Sequence, residues 1–326
     1  MRSSRSTDDG SFTEAQYLIV KAFLICPFQN SPVDGSPFCP SLFLMDDPQF
    51  RRILDFFGLS WKGYRRVRKG VKKRLGRYLQ DRGFRRTEPF LASLERNPEQ
   101  RAEVEKLLSV SISRFFRNRD LWRALEESVF PSLIAGQARK IRVWSAGCAR
   151  GEEAYSFKIL WEEARQRVGQ MTGLELWATD FNPEYLAAAQ AGVYSAGSLK
   201  ELPFKIRSKY LLPLPRQRFT VTVAVKEGIQ WRVHHLCRDD PPARKFSLIF
   251  LRNNLLTYYQ DALRDPALSR VVAALIPGGF FITGAREKLP YGFTVLLPFP
   301  GHPGIYQNTQ PPYCPTDKSF LPALGR

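Results

Sequence analysis

The chain has 326 residues, enough to bury a full core and suited to one large unit plus a smaller one. Its make-up, 44% hydrophobic, 13% aromatic and 25% charged, is that of a soluble globular protein and excludes collagenous or low-complexity architectures. A formal charge of +18, from 49 Lys plus Arg against 31 Asp plus Glu, predicts attraction to an anionic partner: nucleic acid, an acidic membrane leaflet or an acidic protein surface.

The five cysteines are scattered, with no C-x-x-C pair and no His/Cys cluster at zinc spacing, so neither a metal site nor a disulfide scaffold is expected. "YLIVKAFLICPF" is broken by Lys21 and Pro27, short of the roughly 20 apolar residues of a membrane span, and acidic and polar residues precede it, unlike a signal peptide. The expectation is a cytoplasmic protein without membrane insertion. Residues 1–45, ending in the Pro- and Ser-rich "NSPVDGSPFCPS", read as a poorly ordered extension.

From 46 to 119 the pattern is helical. "DDPQFRRILDFFG" places Phe50, Ile53, Leu54 and Phe57 on one face, with Gly58 at the stop. Val67, Val71, Leu75 and Tyr78 repeat the device on a second helix, whose other face is basic. Lys62 to Arg86 holds twelve Lys or Arg against the single acid Asp81, a local charge of +11. Two further helices, around 89–94 and 98–108, complete a small helical domain.

Over 120–326 strand-like and helical runs alternate: "IRVWSA" then "EEAYSFKILWEEA", "LELWATD" then "PEYLAAAQAG", "IQWRVHHL", "FSLIFLRN" then "ALSRVVAALI", and "GGFFITG". This rhythm predicts an α/β fold, a doubly wound and mostly parallel sheet with crossover helices. "RFTVTVAV" interrupts it and reads as a small β insertion at about 195–228.

In such sheets ligands bind beyond the carboxyl ends of the strands. Gly147 and Gly151 sit in the first strand-to-helix turn, where a Cβ would block a ligand or forbid the backbone angles. The turn lacks the third glycine of a dinucleotide fingerprint. Instead the helix opens with Glu152 and Glu153, which would repel a pyrophosphate. Two readings follow: the acids are helix openers favoured by the dipole, or they face a cationic ligand. Asp180, at the tip of the second strand and before the N-cap Asn182 and Pro183, suits ribose hydroxyls. Ribose plus a cationic group and no phosphate describes S-adenosylmethionine.

Together, "SRFFRN", "VWSAGCARGEEAYS", "WATDFNPEYLAAAQAGVY", "FSLIFLRNNLLTYY" and "IPGGFFITGARE" resemble the chemotaxis protein methyltransferase family, CheR, over about residues 46–307. The resemblance implies a class I methyltransferase sheet, S-adenosylmethionine as cofactor and methylation of glutamate side chains on chemoreceptor helices. Carried over by position, Ser111, Ser113 and Arg117 would reach the cofactor from the end of the helical domain, and Gly147 and Glu153 would meet its methionine portion. Asp180 would hold the ribose, His235 and Leu236 would lie beside the adenine, and Arg252 and Asn253 would line the pocket.

Tyr258 would stand near the transferring methyl; Thr257 and Tyr259 compete for that position, and spacing back from Pro277 favours Tyr258. The family usually has Thr at Ser113, Asn at His235, Pro at Ala154 and a Ser-Thr pair at Ala149 and Arg150. His234, His302, Trp144 and Trp177 are expected to be scaffold.

A glutamate carboxylate is ionised at neutral pH, so the acceptor needs no general base, and Arg117, with its planar fork, is the candidate to orient it. The implied partner is an acidic, glutamate-rich receptor helix met by the basic face, with the protein acting as a monomer. A nucleic-acid methyltransferase of the same fold, or a homologue that binds without turning over, are the rival readings; no nucleic-acid recognition module accompanies the charge.

Overall fold

The computed structural model describes residues 45–135, 140–169 and 172–310. The extension read over 1–45 lies outside them except for Met45, which is buried in the helical core.

The first helix among the described residues, Asp47–Phe56, starts on a capping box. The Gln49 amide donates to Asp46 Oδ1 at 2.7 Å and the Asp46 amide to Gln49 Oε1 at 3.0 Å. It buries Phe50, Ile53 and Leu54 and stops at Gly58, whose φ of 63° only glycine takes easily. Helices Trp61–Tyr64, Arg68–Asp81, Thr87–Arg96 and Pro98–Leu108 follow, packed around one apolar cluster that includes Phe50, Leu75, Phe90 and Val104.

The basic stretch is therefore two helices with a break at 65–67. Its buried stripe is Val71, Leu75 and Leu79, not the Val67 to Tyr78 face expected from the sequence. Val67 serves as the N-cap, and Tyr78 stays at the margin because its hydroxyl reaches Glu103 Oε2 at 2.8 Å.

Among the described residues the main sheet has seven strands. Five are parallel: β1 (Lys140–Ala146), β2 (Gly173–Asp180), β6 (Ile229–Val233), β7 (Phe246–Leu251) and β8 (Leu275–Thr283). The order is β6-β2-β1-β7-β8-β10-β9; β10 (Ile305–Asn308) pairs antiparallel with β8 on one side and with β9 (Leu296–Pro298) on the other. β7 is buried at every residue, as a central parallel strand covered on both faces must be. The Pro-Gly-Gly turn lies inside the span of β8: Phe246 faces Leu275, but Leu248 faces Phe280, so the segment between bulges out around Gly278.

The insertion is a separate antiparallel sheet, β3 (Val193–Ser195), β5 (Arg218–Val221) and β4 (Leu211–Leu214). Its strand ends at Val221 although the apolar alternation continues, because Thr222 precedes one helical turn, Val223–Lys226.

Glu175, on β2 directly opposite Arg142 of β1, gathers Lys140 Nζ at 2.9 Å, Arg142 Nε at 3.2 Å and Trp177 Nε1 at 2.9 Å. Burial pushes its carboxyl up, but these three donors outweigh that and bring it down to about 2. A depressed carboxylate stabilises the fold above its unfolded pKa and loses that contribution as pH falls toward the folded value. Acid titration of the unfolding free energy should thus show a loss between about pH 4.5 and 2 of on the order of 2 kcal/mol, discounted for the exposed ends of the two cations. Glu175→Gln should flatten that segment; an unchanged slope would remove Glu175 as its source.

The helical segment is tied to the carboxyl end of β7 by backbone. Ser60 N–H donates to the Tyr258 carbonyl at 2.7 Å, Gln260 N–H to the Gly58 carbonyl at 2.9 Å, and Leu59 bridges Tyr259. Gly63 makes this approach possible, since a Cβ there would come within 2.1 Å of the Thr257 carbonyl oxygen. Gly63→Ala is expected to cost about 1–3 kcal/mol through overpacking. Urea midpoints would read it, and an unaltered midpoint would mean that this seam yields freely.

Candidate cofactor cleft

A cleft opens where β1, β2 and β7 end, with the helical segment along its other wall. The β1 turn is set by two amides, Gly147 and Cys148, that both donate to the Thr179 carbonyl at 2.8 Å. Gly147 and Gly151 take φ of 81° and 89°. A Cβ on Gly147 would strike Asn254 at 1.8 Å, and one on Gly151 would strike Ala189 and Trp231 within 2.9 Å. Of the two reasons expected for these glycines, the backbone angles hold at both, and protein neighbours add a third; Gly147 lines the cleft and Gly151 does not.

The two glutamates that open helix Glu152–Val168 part ways, because consecutive helical residues point about 100° apart. Glu153 faces the cleft. Its Oε1 accepts from Ser145 Oγ at 2.7 Å and its Oε2 from Arg252 Nη1 at 3.0 Å. Glu152 is buried, and its Oε2 has no partner among the described residues. Burial pushes its carboxyl up against the helix N-terminal amide, Ser113 and Arg150, which pull it down. The acidic pair thus presents one carboxylate to the cleft, and the other is interior.

Asp180 stands at the tip of β2 with Oδ2 accepting from the Ala149 amide at 2.9 Å and Oδ1 from the Asn182 amide at 3.0 Å. Burial raises its carboxyl, and these amides oppose the rise. Each oxygen keeps acceptor capacity for a hydroxyl. Asp180 therefore also fastens the glycine turn to the second strand.

Arg117 lies in a tight bend between Phe116 and Asn118, at φ of 50° and 69°. Its carbonyl accepts from Trp122 Nε1 and from Arg252 Nη2, each at 3.0 Å. Its Nη1 donates to the Ile112 carbonyl at 2.8 Å, and the rest of the guanidinium borders the cleft. Burial, then the charges of Arg252 and Arg114, hold its pKa below the usual arginine value. Tyr258 borders the same space with its ring edge-on to Tyr64 at 5.0 Å, and burial pushes its phenol up, with Arg117 opposing.

Of the residues singled out in the sequence, Ser113, Arg117, Gly147, Glu153, Asp180, Arg252, Asn253 and Tyr258 meet on this cleft. Ser111, His235 and Leu236 do not line it. His235 instead directs Nε2 to Glu105 Oε1 at 3.0 Å, with its ring beside Phe181, and Leu236 is buried in the core. Tyr259 also lines the cleft, while Thr257 is turned toward Glu287.

Glu105, Phe181, Tyr185 and Asn254 line the cleft as well, without having stood out as site residues in the sequence. Phe181 and Tyr185 could have been found as the residues just after Asp180 and on the first turn beyond it. Glu105 carries no local signal; it comes from the fifth helix and is held by His235 and by Arg238 Nη2, at 2.8 and 2.9 Å. Burial works to raise its carboxyl, but His235 and Arg238 outweigh that and hold it below the usual value. Arg150 is exposed, its guanidinium over the Tyr185 ring at 5.8 Å, so its charge stays in solvent. Trp144 and His234 are buried scaffold: Trp144 Nε1 donates to Thr179 Oγ1 at 2.9 Å, and His234 Nε2 meets the Asp240 carbonyl at 2.9 Å.

A family model described as CheR methyltransferase, SAM binding domain, matches residues 111–298. The chain belongs to this CheR methyltransferase family. It is 29% identical to a 104.1 kDa protein of Rhodobacter capsulatus over 67% of this chain and 23% of that one. It is also 29% identical to a chemotaxis protein methyltransferase of Listeria monocytogenes over 70% of this chain and 86% of that one. Its overlap with the solved structure of a TehB-like SAM-dependent methyltransferase from Corynebacterium glutamicum is loose, with 16% identity and a TM-score of 0.32 over 58% of this chain and 92% of that one.

The cofactor of the CheR domain is S-adenosylmethionine, and the cleft's donor set fits it. The wall offers three carboxylates, Glu105, Glu153 and Asp180, which suit the cationic group and hydroxyls of that cofactor, beside three arginines, Arg114, Arg117 and Arg252, of which Arg252 is paired with Glu153. Among the described residues no cluster could hold a metal ion, and no helix is long and apolar enough to cross a membrane.

Proposed function

We propose that this CheR-type chain methylates glutamate side chains of chemoreceptor-type proteins in the cytoplasm, forming methyl esters. The observation that carries the reading is the polarity of a single cleft: Glu153 and Asp180 on its sheet side, and Arg117 beside Tyr258 at the helical wall. The name shared by the Listeria and Pseudomonas aeruginosa relatives, chemotaxis protein methyltransferase, supports the class of acceptor.

Bound S-adenosylmethionine supplies an electrophilic methyl group on a sulfonium. Asp180 would accept from ribose hydroxyls, and Glu153 would face the positive methionine end. The incoming glutamate is already a carboxylate at neutral pH, so no residue has to remove a proton. Arg117 would hold that carboxylate with its fork of donors, and a phenol kept protonated by burial at Tyr258 would complete the wall. Such positioning contributes on the order of several kcal/mol without any chemical step by the protein.

The basic helices supply the encounter. Lys62, Arg65, Arg66, Lys69, Lys73 and Arg77 are exposed and make no ion pair among the described residues, whereas Arg68 and Lys72 are taken by Asp47 and Arg82 by Glu103. Such a face would speed and orient docking of an acidic helix in a salt-sensitive way. The same charge would serve RNA, so the test runs both acceptors side by side. Methyl-labelled S-adenosylmethionine is offered to glutamate-rich receptor fragments and to RNA. Base-labile label on protein is expected; label on RNA alone, or cofactor binding with no label on either, would overturn the reading.

A further inference from the structure

The motif "IPGGFFITGARE" ends in Glu287, to which neither the resemblance nor the cleft assigns a role. Its carboxylate is the junction of the two loops that follow β7 and β8. Oε2 accepts from the Asn253 amide and from the Gly284 amide, both at 2.7 Å. Oε1 accepts from Thr257 Oγ1. Three donors on one half-buried carboxylate leave it little freedom.

What these donors belong to is the important point. Asn253 follows Arg252 directly, lines the cleft and takes φ of 54°, a left-handed conformation that a non-glycine residue keeps only when its surroundings impose it. Thr257 belongs to the short helix Leu255–Tyr258 and immediately precedes Tyr258. Glu287 thus grips the chain near both ends of the run from Asn253 to Tyr258, in which Asn253, Asn254 and Tyr258 line the cleft. Gly284 makes room for the grip, because a Cβ there would lie 2.7 Å from Glu287 Oε2 and 3.0 Å from Asn253.

We propose that Glu287 is a positioning residue: by holding Asn253 left-handed and Thr257 in place, it sets the orientation of Tyr258 against Arg117 and so the acceptor end of the cleft. The inference rests on the proposed function only for its consequence in turnover; the geometry it asserts belongs to the free protein. Glutamine can reproduce the hold, its oxygen taking the two amides while its NH₂ donates to the Thr257 hydroxyl, whereas alanine cannot.

The test labels the protein with 3-fluorotyrosine, assigns Tyr258 by its loss in Tyr258→Phe, and compares Glu287→Ala, Glu287→Gln and Gly284→Ala by fluorine NMR and by turnover on a receptor fragment. Expected are a displaced or broadened Tyr258 signal and roughly 30-fold lower kcat at nearly constant KM in Glu287→Ala, with Glu287→Gln within about threefold of the parent, the range of a lost charge-assisted hydrogen bond. Should Glu287→Ala fail to fold, Gly284→Ala and Thr257→Val disturb the same grip with the carboxylate retained and should move the same signal.

An unmoved Tyr258 signal in the folded variants overturns the proposal, as does a Glu287→Gln variant as impaired as Glu287→Ala. If the parent fails to methylate the fragment while the signal still responds to Glu287, the functional reading falls and the positioning role stands.

Discussion

Replacing Glu153 with alanine is expected to lower the unfolding free energy by about 3–5 kcal/mol and to abolish measurable cofactor binding. The size follows from what remains. Arg252 has a side chain only 3% exposed. It donates to Glu153 and to the Arg117 carbonyl, and its Nε has no partner among the described residues. Without Glu153 the guanidinium is left buried against a single carbonyl, and Ser145 loses the acceptor for its hydroxyl.

Removing the charge together with its partner should cost much less. The double variant Glu153→Ala, Arg252→Met should recover a large part of the stability lost in the single one, since an apolar side chain in a buried ion-pair site is often neutral. Cofactor binding should stay lost in both, because the acid proposed to face the cationic ligand is absent either way. Denaturant midpoints and calorimetric titration separate the two effects. A single variant as stable as the parent, or a double variant less stable than the single, would show that the pair does not bear the weight assigned to it.

Features that depend on neighbours in the chain were legible from the residues alone. The alternation of apolar runs gave away the parallel strands, because a strand covered on both faces has no polar side to interrupt it. Asn182 and Pro183 marked the helix after β2, and the Asn182 side chain does accept from the Glu184 amide at 3.0 Å. Asp180 and Gly147 were legible because β-strand tips and the first turn are local positions.

Features that need two distant segments were not. Glu152 and Glu153 are adjacent and chemically identical; only the helix's packing sends one inside and one to the cleft. Glu105 and His235 are 130 residues apart, and nothing near either foretells that the histidine would turn to the fifth helix. Glu287 was within a quoted motif, yet its meaning lies in three donors from two other loops. The pattern is physical: periodicity and turn chemistry are written in short windows, whereas the choice of partner for a polar group is made by the tertiary fold that buries it.

Truncation of Arg117 should separate chemistry from binding. Arg117→Ala is expected to reduce kcat on a receptor fragment about 100-fold, close to 3 kcal/mol, the upper range for a hydrogen-bonded charge pair with a carboxylate. The affinity for S-adenosylmethionine should change by no more than about threefold. The bend that contains Arg117 should survive, because its anchors are backbone: the carbonyl accepts from Trp122 and Arg252, and the side chain's one donation, to Ile112, is to an exposed loop residue.

Two neighbouring cations, Arg252 and Arg114, also disfavour the Arg117 charge, and the proposed anionic acceptor would offset them. Arg117→Lys keeps the charge but replaces the fork with a point, and should recover part of the lost rate, about tenfold, if charge matters as well as geometry. Single-turnover transfer of labelled methyl, measured with saturating cofactor, reads this without interference from product release. A full rate in Arg117→Ala would take Arg117 out of the reaction and leave Tyr258 as the residue of that wall to test next; a loss confined to cofactor affinity would move Arg117 from the acceptor to the cofactor.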